Sequence, residues 1–134
     1  MRHFTPEEAN AALPEVRPLV ERMVELRRAH DEALEHQEQL EARIRGNGGG
    51  IPPAQLADAA AEVDGHAHEL ARTVDELGAL GVEVKDVDEG LVDFPALRRG
   101  KTVLLCWKLG EDEIRYWHTP EDGFAGRRPL PLDE

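Results

Sequence analysis

Nine positions in the first third of the chain follow alternating steps of three and four residues: Val16, Leu19, Met23, Leu26, His30, Ala33, Gln37, Leu40 and Ile44. On an α-helix such steps keep one narrow stripe, the pattern of a helix–helix seam. After the breaker "GNGGGIPP" the pattern resumes as Leu56, Ala60, Val63, Ala67, Leu70, Val74 and Leu77. Pro53 suits a first helical turn and Gly81 a helix stop. The two segments therefore read as an antiparallel hairpin joined at residues 46–52. No other feature restricts the fold as strongly, because an amphipathic helix must bury its apolar stripe.

The stretch "FTPEEA" marks a helix start: Thr5 caps, Pro6 takes the first helical position, and Glu8 completes a T-x-x-E capping box. Pro14 disfavours helical geometry at Leu13, so a short first helix is expected, with a second start at Pro14. Pro18 then bends the long segment or shifts its start. A helix from Pro14 to Arg45 extends about 48 Å, whereas a compact domain of this length has a radius of gyration of roughly 14 Å. The hairpin is expected to project. Val20 and Leu34 widen its stripe, and Ala57, Ala71 and Gly78 form a row of small residues. Both features suit a further helix, so a homodimer through the hairpin is the expected assembly.

His30 and Gln37 interrupt the apolar seam. One reading is a metal site of His30, His66 and His68 with Asp64 or Glu69. The two histidines two apart on a helix point about 200° from each other and share no metal. Polar register markers are the simpler account.

Beyond Gly81 the period changes to two. "VEVKDV" alternates, "DEG" turns, and "LVDF" is a short extended piece before Pro95. "GKTVLLCWKLGEDEIRYWH" reads as two strands around an acidic turn. With Glu111 and Asp112 at the tip, Leu109 faces Ile114, Trp107 faces Tyr116 and Leu105 faces His118. One face then carries Val103, Leu105, Trp107, Leu109, Ile114, Tyr116 and His118. The other carries Leu104, Cys106, Lys108, Arg115 and Trp117; a bulge would alter this division. The expected fold is α+β: a long N-terminal antiparallel helical hairpin, then a small antiparallel sheet of about three strands. It is read as a single domain over 1–134, with 1–80 the hairpin and 81–134 the sheet and tail.

Charge and cysteine usage narrow the function. Acidic residues number 28 against 16 basic, a formal net charge of −12. Such a surface repels phosphate backbones, so nucleic acid is not an expected partner. Cys106 is the only cysteine, which precludes an internal disulfide and fits a reducing compartment. No stretch has the length of a signal-peptide core or of a membrane span. A soluble, cytoplasmic protein is expected.

The segments "FTPEEANAALPEVRPLVERM" and "GVEVKDVDEGLVDFPALRRGKTVLLCWKLGEDEIRYWHTPEDGFAGRRPL" resemble an uncharacterised prokaryotic family, Domain of Unknown Function 2203. The signature lies in "KD", "GLVDFPA", "CW.LGE..I.YWH" and "GFAGR". The resemblance covers nearly the whole chain, supports the architecture and supplies no activity.

Candidate chemistry gathers in the second half, at Asp86, Asp88, Asp93, Glu111, Glu113, His118 and Arg127. If the early strand lies beside the hairpin, His118 approaches Asp93 or Asp86, and an Asp–His pair can orient an imidazole for acid–base work. Asp86, Asp88, Asp93 and His118 would suit an oxygen-rich Mg²⁺ or Mn²⁺ site, and a divalent metal is the one candidate cofactor. Asp86-x-Asp88 before Gly90 is equally ordinary turn chemistry. Cys106, in mid-strand, reads as inert packing. No Walker loop, dinucleotide fingerprint, nucleophile elbow or zinc motif appears. The leading expectation is a non-enzymatic interaction or assembly module acting through its helical arm, on an unidentified protein partner. The alternative is a small ligand- or metal-binding protein, or a hydrolase-like enzyme, with Asp93, Trp117, His118 and Arg127 at the sheet end.

Overall fold

The structure is a computed structural model that describes residues 1–47 and 50–132. Two helices, α1 (Pro6–Asn47) and α2 (Pro53–Ala79), precede five strands: β1 (Glu83–Asp86), β2 (Leu91–Arg98), β3 (Lys101–Lys108), β4 (Tyr116–His118) and β5 (Arg128–Pro129). The fold is α+β. The joint expected at 46–52 falls partly on Gly48 and Gly49, outside the described residues. No described helix is long and apolar enough to cross a membrane.

The capping box forms as its spacing requires. Thr5 N donates to Glu8 Oε1 (2.8 Å) and Glu8 N donates to Thr5 Oγ1 (3.1 Å). The expected break at Pro14 does not occur: α1 is one helix with Pro14 and Pro18 inside it. Both prolines lie on its exposed side, where solvent satisfies the carbonyls left without an N–H partner. At the end of α2, Gly81 takes a φ of 90°. Val82 N then bonds Leu77 O and Gly81 N bonds Gly78 O, the two closing bonds of a Schellman stop.

The chain divides into two compact units, Glu25–Arg72 and the remainder, Met1–Val24 with Thr73–Glu134. In the Glu25–Arg72 unit, every residue of the α1 stripe is buried or half-buried. On α2 the stripe holds at Leu56, Val63 and Leu70, but its companion row differs by one residue. Ala59 is buried and His66 half-buried, while Ala67 is exposed. Residues three and four along from Leu56 or Val63 are both its neighbours on a helix, and alanine at 59, 60 and 67 leaves sequence little basis for choosing.

In the other unit the strands form one antiparallel meander in the order β1-β2-β3-β4-β5. Five strands replace the expected three or so, for two reasons. β2 runs on through Pro95, and the C-terminal tail adds β5 beside β4. Pro95 is tolerated because β1 pairs only with the start of β2. At Pro95 the open edge is filled by the N-terminal segment, with Phe4 N donating to the Pro95 carbonyl (2.7 Å). A residue's N and O point to the same side of a strand, so the missing N–H falls on this edge and spares the β3 ladder.

The β3–β4 register also differs from expectation. Cys106 pairs with Tyr116, Leu105 with Trp117 and Leu104 with His118. An odd number of residues, 107 to 115, separates Cys106 from Tyr116, where a two-residue tip would leave an even number between partners. The extra residue is absorbed where the chain curls back, with Glu111 N donating to Lys108 O and Leu109 N to Gly90 O. A one-residue slip exchanges the two faces of a strand. Trp117 therefore joins the face of Val92, Phe94, Ala96, Val103, Leu105 and Trp107. Tyr116 and His118 join the face of Asp93, Leu104 and Cys106.

The first of these faces is the core of the unit. Phe94 meets Phe4 edge-to-face, with centroids 5.2 Å apart, and the Arg17 guanidinium lies over Trp107 at 5.2 Å. Asn10 on α1 holds the β3–β4 connection through its side chain, accepting from Ile114 N (2.7 Å) and donating to Ile114 O (3.3 Å).

Candidate functional site

The second face carries the chemistry. Asp93 and Cys106 are directly paired across β2 and β3, and His118 lies diagonally across on β4. Three different donor groups thus converge: a carboxylate oxygen of Asp93, Sγ of Cys106 and a ring nitrogen of His118 lie within 4.8 Å of one another. Asp93 is 1 % exposed, His118 3 % and Cys106 0 %.

His118 has partners on both ring nitrogens. Nδ1 stands 2.7 Å from the Thr119 carbonyl, and Nε2 stands 3.1 and 3.0 Å from the two carboxylate oxygens of Asp93. A carbonyl only accepts, so Nδ1 carries a hydrogen. Nε2 and the carboxylate then share one proton, since two lone pairs would repel. Burial pushes the Asp93 carboxyl above its ordinary value, and the adjacent His118 opposes that shift. The Cys106 thiol is pushed up to about 12 by burial and by the negative charge of Asp93. In this state Cys106 is a protonated thiol.

A small cavity of about 150 Å³ opens over the pair, lined by Lys85, Leu91, Asp93, Leu104, His118, Pro120, Gly123 and Phe124. The segment after β4 forms one wall, with Phe124 42 % exposed. Lys85 Nζ is paired with Glu83 at 3.0 Å.

Arg127 anchors that segment to the sheet. Its Nη2 lies 2.6 Å from Glu111 Oε2, and its guanidinium covers Tyr116 at 4.0 Å and Phe124 at 4.6 Å. The other Glu111 oxygen accepts from Lys108 N at 2.7 Å, and its carbonyl accepts from Trp107 Nε1 at 3.1 Å.

A family model described as Uncharacterized conserved protein (DUF2203) matches residues 2–130. The chain belongs to that family. No curated protein and no solved structure gives a significant match. The DUF2203 match takes in all three converging residues and Arg127.

Of the residues singled out from sequence, the fold brings Asp93 and His118 together and places Arg127 over the same sheet face. Trp117 lies on the opposite face, 2 % exposed, beneath the guanidiniums of Arg98 (5.0 Å) and Arg128 (5.2 Å). Asp86 and Asp88 are exposed and stand outside the converging group. Asp86 Oδ1 accepts from Glu89 N, an ordinary turn bond. Among the other histidines, His30 is 3.4 Å from its neighbour Asp31 and His68 is exposed. His66 lines a cleft with Ala29, Glu32, Ala33, His36 and Glu62. Sequence reasoning missed Cys106. In the expected register it faced away from His118, and only the one-residue slip brings the two together.

Proposed function

We propose that the protein binds a small polar ligand at this sheet face, with Asp93 and His118 as the floor of the site. The observation that carries the reading is the buried carboxylate–imidazole pair, with side chains 1 % and 4 % exposed, beneath a cavity of about 150 Å³. Removing two ionisable groups from water is unfavourable unless each is well paired, so packing alone gives little reason to keep them there. The cavity's size limits the ligand to a few heavy atoms, well below drug size. Lys85 on the wall favours an anionic group, the Phe124 ring supplies an apolar side, and the floor holds one mobile proton. Binding or hydrolase-like chemistry on a small anion would use these parts.

A thermal-shift screen of chelator-treated protein against inorganic phosphate and small carboxylates tests the reading. A ligand at 100 times its dissociation constant stabilises by about 2.7 kcal/mol. The expected result is a shift that falls in Lys85→Ala and Phe124→Ala, both altered at exposed side chains. A flat screen, or equal shifts in wild type and variants, would count against the site.

A second reading concerns the helices. α1 and α2 would form an antiparallel hairpin that serves as an interaction or assembly arm, with a homodimer as its product. Its support is the cleft lined by Ala29, Glu32, Ala33 and His36 of α1 together with Glu62 and His66 of α2. A compact monomer in solution scattering would remove it. A cytoplasmic setting fits the single, buried, unpaired Cys106, and the net charge of −12 disfavours nucleic acid as partner.

A further inference from the structure

We propose that Asp93, Cys106 and His118 form a mononuclear site for a zinc-class divalent ion, bound through a carboxylate oxygen, Sγ and Nε2. This rests on reading the cavity above Asp93 and His118 as the protein's site, and it names the occupant of the floor. Three observations converge. First, zinc–ligand bonds of about 2.0–2.3 Å in a tetrahedron set donors roughly 3.3–3.7 Å apart. The three donors already stand within 4.8 Å of one another, and Nε2 stands 3.0 Å from Asp93 Oδ2. Small side-chain adjustments complete the set.

Second, the support behind His118 is that of a metal-ligating histidine. Its Nδ1–H donates to the Thr119 carbonyl at 2.7 Å, which fixes the ring and aims the Nε2 lone pair at the other two donors. Third, the charge closes: a carboxylate, a thiolate and a neutral imidazole around a divalent ion carry no net charge, and a buried group at zero net charge avoids the large desolvation penalty of an unpaired ion. The thiolate and imidazole select zinc, cobalt or nickel over magnesium and calcium, which prefer oxygen-rich shells. Three protein ligands leave one position, and the cavity lined by Lys85 and Phe124 has two of them, Asp93 and His118, in its lining. A water or small anion would complete the ion there, the arrangement of open zinc sites.

Cobalt titration of chelator-treated, full-length protein tests the proposal. The expected result is one equivalent bound, with thiolate-to-cobalt charge-transfer absorption in the near ultraviolet and strong visible bands of four-coordinate cobalt. Zinc should displace it. Cys106→Ser should abolish the charge-transfer band, and Asp93→Asn should weaken binding about ten-fold or more. His36→Ala and His66→Ala should leave the band unchanged. Absence of the band in folded wild type, or cobalt affinity unchanged in Cys106→Ser, would overturn the site; neither depends on whether another variant folds. A small-anion thermal shift that persists with chelator but without the cobalt band would overturn the metal and leave the ligand pocket standing. The band without any anion shift would support the metal and remove the anion reading.

Discussion

His118 Nε2 faces both carboxylate oxygens of Asp93, at 3.1 and 3.0 Å, while the opposite edge of the ring is fixed on the Thr119 carbonyl. The two residues therefore act as one unit holding one proton, and substitutions at either should be read as effects on the pair.

Asp93→Asn tests the titration of this unit in metal-free protein. The amide can still donate to Nε2, so the hydrogen bond survives. Burial raises the folded-state pKa of Asp93 above its unfolded value near 3.8, so between the two values the folded state binds more protons than the unfolded state. Stability then falls as pH rises through that window. Relative to Asp93→Asn, wild type should lose stability from about pH 4 upward and level off above the raised pKa. Urea midpoints of both proteins from pH 4 to 8 decide it; parallel curves would contradict the shift.

Cys106, fully buried and with its thiol pushed up to about 12, should resist alkylation. In chelator-treated native protein at neutral or mildly alkaline pH, iodoacetamide should leave it unmodified. Labelling should go to completion in urea. Mass spectrometry reads both states, and fast native labelling would show a reactive thiolate.

Glu111 ties Lys108 N and Arg127 together through its carboxylate and holds the Trp107 indole through its carbonyl. Glu111→Ala leaves a half-buried amide and a guanidinium without their acceptor. A loss of about 2–3 kcal/mol in urea unfolding is expected, with faster proteolysis in the 119–127 segment. A loss below about 1 kcal/mol would mean that solvent replaces the carboxylate.

Gly90 sits at a φ of 66°, and a Cβ there would meet Leu109 Cβ at 2.8 Å and the Val20 and Val24 side chains at 3.1 Å. Gly90→Ala combines left-handed backbone strain with overpacking. Chemical denaturation should report a loss of about 1–3 kcal/mol. A neutral effect would mean that the β1–β2 turn shifts freely.

Local chemistry made much of the molecule legible. Steps of three and four placed the α1 stripe, Thr5 and Glu8 placed its start, and Gly81 placed the end of α2. Each depends only on residues within a turn or two, where helical geometry dictates which side chains meet. The pairing of Asp93 with His118 was legible only on the condition that β2 lies near β4.

The sequence by itself determined the α+β order, the start of α1, the end of α2 and the family, while the break it suggested at Pro14 does not occur. The tertiary structure decided which face each strand residue occupies. Alternation has period two, so a single odd residue between Cys106 and Tyr116 reverses every assignment beyond it, and no local propensity records that count. That reversal puts Trp117 into the core, turns His118 outward beside Asp93, and converts Cys106 from strand packing into the third member of a buried cluster. Pro95 reads locally as a strand end, yet Phe4, distant in sequence, occupies the edge that its missing N–H leaves open. Helix geometry is settled within a few residues; strand register is settled by partners far along the chain.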